Sequence, residues 1–293
     1  MPYRIITKKA LAPQIKLMEI EAPYVARAAR PGQFVVLRIH EQGERIPITI
    51  GKADREKGTL TIAFQEVGKT TFHLGTLEAG DEIMDVVGPL GKASEIENFG
   101  TVVAVGGGIG VPLLYPIVKA LKEAGNRIIM IEGARTAELL VLEDWFKPLV
   151  DELRITTDDG SRGRKGFVSD ELRDILDSGQ KVDRIIAVGP AIMMKVVSEL
   201  TRPYGIPTIV SLNSIMVDGT GMCGACRVEV DGKTMFACVD GPEMDGHKVD
   251  FDLLMKRLDA YKALEKESLD MFLKTGTPAA GNGRSAKEEV KNA

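Results

Sequence analysis

All three cysteines of this 293-residue chain stand in or just after one glycine-rich stretch, Asp218-Gly-Thr-Gly-Met-Cys223-Gly-Ala-Cys226, with Cys238 following. Four residues separate Asp218 from Cys223, and two separate Cys223 from Cys226. With a cysteine in place of the aspartate, this is the spacing by which a loop wraps a [2Fe-2S] cluster. Each iron needs two anionic donors besides the bridging sulfides. A carboxylate carries the same formal charge as a thiolate, although it is a harder donor. Gly219, Gly221 and Gly224 allow the turns that aim such donors inward. The pattern predicts Asp218, Cys223, Cys226 and Cys238 as metal ligands. A disulfide would leave one thiol over, and structural zinc favours paired Cys-x-x-Cys knuckles, so both account for the pattern less well.

A chain of this length accommodates two or three domains. Its hydrophobic fraction of 44% and charged fraction of 27% are ordinary for a soluble protein. A net charge of -4 supplies no basic footprint, so no nucleic-acid partner is expected. The amino terminus lacks an apolar signal core and no apolar run reaches membrane-span length, which predicts a cytoplasmic protein with no membrane partner.

The fold class expected is multidomain α+β. Residues 1–98 carry short strand-like runs, such as Ile15–Ile20, Phe34–Ile39 and Thr59–Gln65, divided by Pro and Gly turns, and predict a small antiparallel β-barrel. Over 99–210 the pattern alternates strand, glycine turn and helix, which predicts a doubly wound α/β domain with a parallel sheet. Residues 211–250 form the cluster domain, with an Asp231-Gly232 hairpin returning the chain to Cys238. In 251–293 the spacing of Leu253, Leu254, Leu258, Tyr261, Leu264 and Phe272 predicts one helix over 250–273, then a mobile tail from Thr275 to Ala293.

The turn Gly106-Gly107-Gly108-Ile109-Gly110 follows a strand and opens a helix, a position where free amides attract a pyrophosphate. Val111 occupies the place of the last glycine of G-x-G-x-x-G, and glycine turns are also packing devices. Two further turns, one with Asp158 and Asp159, the other with Gly189 and Pro190, are expected to line the same crevice. Glu132, ending the second strand, suits ribose hydroxyls, whereas Arg135 suits a 2'-phosphate, so NAD and NADP both remain open here. In the barrel region, Arg45-Ile46-Pro47-Ile48-Thr49 places a hydroxyl on an apolar strand. Val67-Gly68-Lys69-Thr70-Thr71 presents amides, hydroxyls and an ammonium suited to phosphate oxygens, though each segment alone reads as a hairpin turn. His40, His73 and His247 form no metal-spaced pair, Trp145 reads as packing, and no catalytic side chain is predicted.

Together these segments resemble the ferredoxin-reductase-like flavoprotein superfamily, and with the terminal cluster their order is similar to the electron-transfer subunit of dihydroorotate dehydrogenase. The resemblance implies FAD, with Ile46, Pro47, Ile48 and Thr49 touching flavin and ribityl and Phe64 and Gln65 near the adenosine side or ring. It places Gly68, Thr70 and Thr71 on the pyrophosphate. Two departures, Asp218 for the first cysteine and Ile46 for an arginine with Arg45 one place earlier, look like the small subunits of electron-bifurcating NADH-dependent ferredoxin:NADP oxidoreductases, over about residues 1–250. That family implies an oxidoreductase subunit that exchanges hydride with NAD(H) at FAD. It also implies passage of single electrons through the cluster to a larger flavin and iron-sulfur subunit, a heterodimer reaching ferredoxin through that partner. The alternatives are a dihydroorotate dehydrogenase subunit, which normally has four cysteines, and a scaffold without redox activity.

Overall fold

The computed structural model describes residues 2–275. Strands β1 (Tyr3–Ala12), β2 (Ile15–Glu21), β3 (Phe34–Arg38), β4 (Arg45–Asp54), β5 (Thr59–Gln65), β6 (Glu82–Ile83) and β7 (Asp85–Leu90) form one antiparallel sheet, ordered β6-β1-β2-β5-β4-β3-β7, which is nearly closed into a barrel. Alternation along the strands turns Met18 and Ile20 of β2 and Leu60, Ile62 and Phe64 of β5 into a common core. Two short helices, α1 (Pro23–Ala28) and α2 (Lys69–Thr76), interrupt the strands. Residues 67–71 therefore begin a helix rather than a hairpin turn. The Thr71 hydroxyl accepts from the Val67 and Gly68 amides, both at 3.0 Å, and Leu74 on the next turn is buried in the barrel.

The next part contains β8 (Thr101–Gly107), α3 (Gly110–Glu123), β9 (Arg127–Ala134), α4 (Glu143–Phe146), β10 (Glu152–Thr157), β11 (Arg164–Lys165), α5 (Val168–Asp177), β12 (Arg184–Val188), α6 (Ala191–Thr201) and β13 (Thr208–Ser211). A hairpin of β14 (Arg227–Val230) and β15 (Lys233–Phe236), then α7 (Ala237–Asp240) and β16 (Glu243–Asp245), follow. The second sheet runs β11-β10-β9-β8-β12-β13-β16, parallel except for β16. Its apolar strands are read on both faces: Val103, Val105, Ile129 and Ile131 join the core beneath α5 and α6, and Val102, Ala104, Ile128 and Met130 join the core beneath α3. The chain works outward from β8 to β11, then restarts at β12 on the other side of β8. That reversal opens a crevice at the carboxyl ends of β8 and β12.

The hairpin turns at Asp231 and Gly232, both with positive φ, as an Asp-Gly turn requires. The chain then returns β16 to the edge of β13, pairing Ile209 with Asp245, so residues 211–250 share a sheet with the α/β part that precedes them. Cys226, Val228 and Cys238 lie in one apolar core with Val210 and with Phe34 and Val36 of the barrel.

The single helix expected over 250–273 is two, α8 (Phe251–Asp259) and α9 (Lys262–Thr275). Their apolar residues address different bodies. Asp250 caps α8 by accepting from the Leu253 amide at 2.9 Å, and Phe251 and Leu254 are buried against α6 and β14. On α9, Phe272 lies against His73 of α2, ring centroids 5.8 Å apart. Past Thr275, the expected tail lies outside the described residues. Among those described, no helix is long and apolar enough to cross a membrane.

Candidate cofactor site

The cluster loop is wound through Gly219, Gly221 and Gly224, whose φ values of 76°, 85° and 67° favour glycine. A Cβ on Gly219 would also stand 2.7 Å from Leu90 and 2.9 Å from Val36, so the loop is seated directly on β7 and β3 of the barrel. Cys226 and Cys238 are buried with their sulfurs 3.1 Å apart, whereas Cys223 is exposed. Asp218 accepts from the Thr220 amide on Oδ1 at 3.0 Å and from the Cys223 amide on Oδ2 at 2.9 Å. These bonds, led by that of Thr220, hold its carboxyl below the usual range. Burial, reinforced by Cys226, pushes the Cys238 thiol up to about 12.

Among the described residues the four predicted ligands do not close into one metal shell. The structure brings them together as two pairs, Cys226 with Cys238 and Asp218 with the Cys223 backbone. The donor set suits a [2Fe-2S] group. It offers soft sulfur donors on a tight loop, and each Asp218 oxygen keeps a lone pair after its amide bond.

At the sheet crevice, only one glycine faces open space: Gly108, with φ 55° and nothing near the position of a Cβ. The others are small because neighbours fill the space. A Cβ would lie 2.1 Å from the Val188 carbonyl oxygen at Gly110, 2.8 Å from Val111 at Gly106, and 2.5 Å from the Met193 sulfur at Gly107. Val111 in the fingerprint's last glycine position is thus the packing complement of Gly106. The Met193 sulfur also stands 2.9 Å from the Cβ position of Gly189, so this side chain lies across both strand ends. Ile109 is the residue preceding α3, and Pro190 the one preceding α6.

The loops after β9 and β10 form a second wall. The Asp158 amide donates to the Ala134 carbonyl at 3.1 Å, and that of Asp159 to the Arg135 carbonyl at 3.3 Å. The Asp159 carboxylate accepts from the Ser161 hydroxyl and amide, which keep it below the usual range. Glu132 is not in this wall. It is 1% exposed and points beneath α3, because it continues the face of Ile128 and Met130. Oε1 accepts from the Val141 amide at 2.9 Å, Oε2 has no partner among the described residues, and burial pushes the carboxyl up to about 7. The ribose contact expected of Glu132 is not available to a carboxylate so enclosed.

In the barrel, Arg45 is exposed and Ile46, Pro47, Ile48 and Thr49 are half-buried along β4, with Pro47 opposite Val36 and Thr49 opposite Phe34 on β3. This strand therefore neighbours the one on which the cluster loop rests. Phe64, expected near a cofactor, is 2% exposed inside the barrel core, and the alternation of β5 leaves Gln65 half-buried. Gly68 precedes α2, Lys69 Nζ lies 2.7 Å from Glu44 Oε1, and the Thr70 hydroxyl donates to Glu44 Oε2. Burial opposes ionisation of Glu44, yet Lys69 and Thr70 hold its carboxyl below the usual range. Sequence reading missed Glu44 and Met193, since each acquires its place through a contact distant in the chain. Glu44 adjoined Arg45 in a segment already singled out, the one signal available.

The iron-sulfur cluster binding domain of dihydroorotate dehydrogenase B matches residues 213–250. A Thermotoga maritima protein described as a dihydroorotate dehydrogenase B (NAD(+)) electron transfer subunit homolog is 54% identical over 271 residues, 92% of this chain and 95% of that protein. The corresponding electron transfer subunit of Fusobacterium nucleatum is 35% identical over 234 residues, 77% of this chain and 88% of its own. A chain in the solved structure of an NADH-dependent reduced ferredoxin-NADP oxidoreductase, a study of flavin-based electron bifurcation, is 52% identical with a TM-score of 0.88, covering 93% of this chain and 98% of that one. At 16% identity and a TM-score of 0.59, a Neisseria gonorrhoeae ferredoxin NADP+ reductase with bound FAD and NADP shares the fold. The chain belongs to the family of dihydroorotate dehydrogenase B electron-transfer subunits and their homologues, and it shares the fold of ferredoxin reductases.

Proposed function

We propose that this chain is the flavin and iron-sulfur subunit of an NADH-dependent ferredoxin:NADP oxidoreductase, exchanging hydride with NAD(H) at FAD and relaying single electrons through a [2Fe-2S] cluster to a larger subunit. The observation that carries this reading is the seating of the Asp218–Cys226 loop on β3, beside the β4 segment 46–49. FAD, when bound, takes up electrons in pairs and releases them singly, which links a hydride donor to a one-electron centre. The chain's own residues then have positioning roles. Ile46, Pro47, Ile48 and Thr49 line the flavin, and the first-turn amides of α2 with Gly68, Lys69, Thr70 and Thr71 hold its pyrophosphate. Gly108 and the start of α3 hold the dinucleotide, flanked by Arg135, Asp158, Asp159, Gly189 and Pro190. Asp218, Cys223, Cys226 and Cys238 hold the cluster.

The partner is a second flavin and iron-sulfur subunit in a heterodimer, through which ferredoxin is reached. The relatives' description as electron-transfer subunits supports a partner. The docking face combines the exposed Val217, Met222 and Val239 around the cluster loop with Tyr261 and Leu264 near the carboxyl end. Replacing the exposed Tyr261 and Leu264 together with Asp should abolish co-purification of the partner, and retention with normal affinity would reject this face. Cluster thiolates favour a reducing compartment, so the protein is placed in the cytoplasm. The match of residues 213–250 favours a second reading, a subunit that serves dihydroorotate oxidation. Asp218 in place of the first cysteine counts against it.

Anaerobic purification tests the whole reading. The protein should show flavin bands with an iron-sulfur shoulder, two irons and two acid-labile sulfides per chain, and faster dye reduction with NADH than with NADPH. Folded protein containing neither iron nor sulfide would refute it. Activity of the native complex with dihydroorotate, and none with ferredoxin, would favour the second reading.

A further inference from the structure

The amides in the first turn of α2 have no acceptor within the helix, and two side chains of that turn already hold an anion. Glu44, from the turn joining β3 to β4, receives the Lys69 ammonium on Oε1 at 2.7 Å and the Thr70 hydroxyl on Oε2, so both carboxylate oxygens are engaged. The turn has independent anchors. The Gly43 amide donates to the His40 carbonyl at 2.8 Å, and Arg38, paired with Asp85, donates to the Glu41 carbonyl at 3.1 Å. Thr70 is buried, so Glu44 rather than water satisfies its hydroxyl. The side chains of Lys69 and Glu44 keep 36% and 54% of their surface and remain within reach of a ligand. The Glu44 carboxyl is held below its ordinary range, so its charge persists at neutral pH.

A carboxylate and a phosphate satisfy the same needs here: negative charge at a helix amino terminus and two oxygens for an ammonium and a hydroxyl. We propose that Glu44 is a built-in substitute for the flavin pyrophosphate. It satisfies Lys69 and Thr70 in the flavin-free chain and opposes the incoming phosphates, so it limits affinity for phosphate-bearing flavins. This inference rests on the reading of Gly68–Thr71 as the pyrophosphate cradle. Loading of FAD is then an exchange of one anion for another at a helix end that is already formed. Two consequences have opposite signs: losing the Glu44 charge loosens the flavin-free chain yet tightens FAD. A merely structural Glu44 would instead weaken both on removal, and would do so for any flavin.

The test uses the full chain freed of flavin, as wild type, Glu44→Gln and Lys69→Ala, titrated with FAD and with riboflavin by flavin fluorescence. Glu44→Gln should bind FAD about threefold to tenfold more tightly. Riboflavin, which has no phosphate, should bind as before, and the flavin-free variant should melt lower than wild type. Unchanged or weakened FAD binding, or an equal gain for riboflavin, would overturn the proposal. Lys69→Ala separates it from the reading beneath it. If Lys69→Ala leaves FAD affinity intact, the cradle falls and Glu44 with it. If Lys69→Ala weakens FAD but Glu44→Gln does not tighten it, the cradle stands and only the Glu44 proposal fails.

Discussion

Replacing Glu132 with Gln should make the protein more stable, by an amount that grows with pH. The carboxyl is 1% exposed beneath α3, and among the described residues its one hydrogen bond runs from the Val141 amide to Oε1, leaving Oε2 without a partner. Burial raises it from 4.5 to about 7, which at about 1.4 kcal/mol per pH unit corresponds to about 3 kcal/mol. The sign follows from proton uptake. Between these values the unfolded chain has released the proton and the folded chain has kept it, so stability falls as pH rises through this window and levels off above it. Glutamine keeps the acceptor for Val141 and cannot ionise, so it reproduces the protonated side chain at every pH. The variant should match wild type near pH 4.5 and exceed it by about 2 to 3 kcal/mol at pH 8. Trp145, the chain's one tryptophan, lies on α4 just beyond Val141 and is packed on Tyr115 with ring centroids 4.9 Å apart, so its fluorescence reports this region directly. Urea denaturation followed by that signal at saturating FAD, from pH 5 to pH 8, measures the difference. A pH-independent difference, or a glutamine variant less stable at pH 8, would refute a buried protonated carboxyl.

Gly110→Ala drives a Cβ to 2.1 Å from the Val188 carbonyl oxygen, which as backbone cannot move aside, and should cost about 3 kcal/mol in a melting experiment. Gly108→Ala meets open space at φ 55° and should cost only about 1 kcal/mol while weakening NADH binding more than melting implies. Phe272→Ala should uncover His73, whose imidazole is pushed down to about 4 chiefly by burial, and let it titrate closer to its ordinary 6.5 by NMR; an unmoved titration would remove α9 from its environment. Asp218→Cys should retain two irons per chain with a reduction potential and pH profile different from wild type by EPR titration, and identical values would exclude Asp218 as a ligand.

How far the fold was legible depended on whether its signal was local. Spacing and composition sufficed for the barrel, the parallel sheet and the Asp231-Gly232 hairpin, because each is encoded by neighbours in the chain: alternation on β5, apolar runs in β8 and β9, a turn dipeptide. The pairing of β16 with β13 was hidden, since three residues of edge strand carry no pattern of their own and gain one only from the strand they meet. The start of α2 was misread for a related reason: Gly-Lys-Thr-Thr is turn-like until Thr71 captures the preceding amides and Leu74 enters the barrel. Side-chain direction was the other limit. Glu132 at the end of a strand suggested a crevice residue, but strand alternation aligned it with Met130 and enclosed it, and the same alternation took Phe64 into the barrel. The glycine turn shows how the two limits combine. A run of glycines marks where backbone must come close without saying to what. Here Gly106, Gly107 and Gly110 make room for Val111, Met193 and the Val188 carbonyl, and one position, Gly108, is left open to a ligand. A glycine fingerprint can therefore be real as a fold signal while most of its glycines serve the protein's own packing, and the substitutions at 108 and 110 separate the two uses at positions two residues apart.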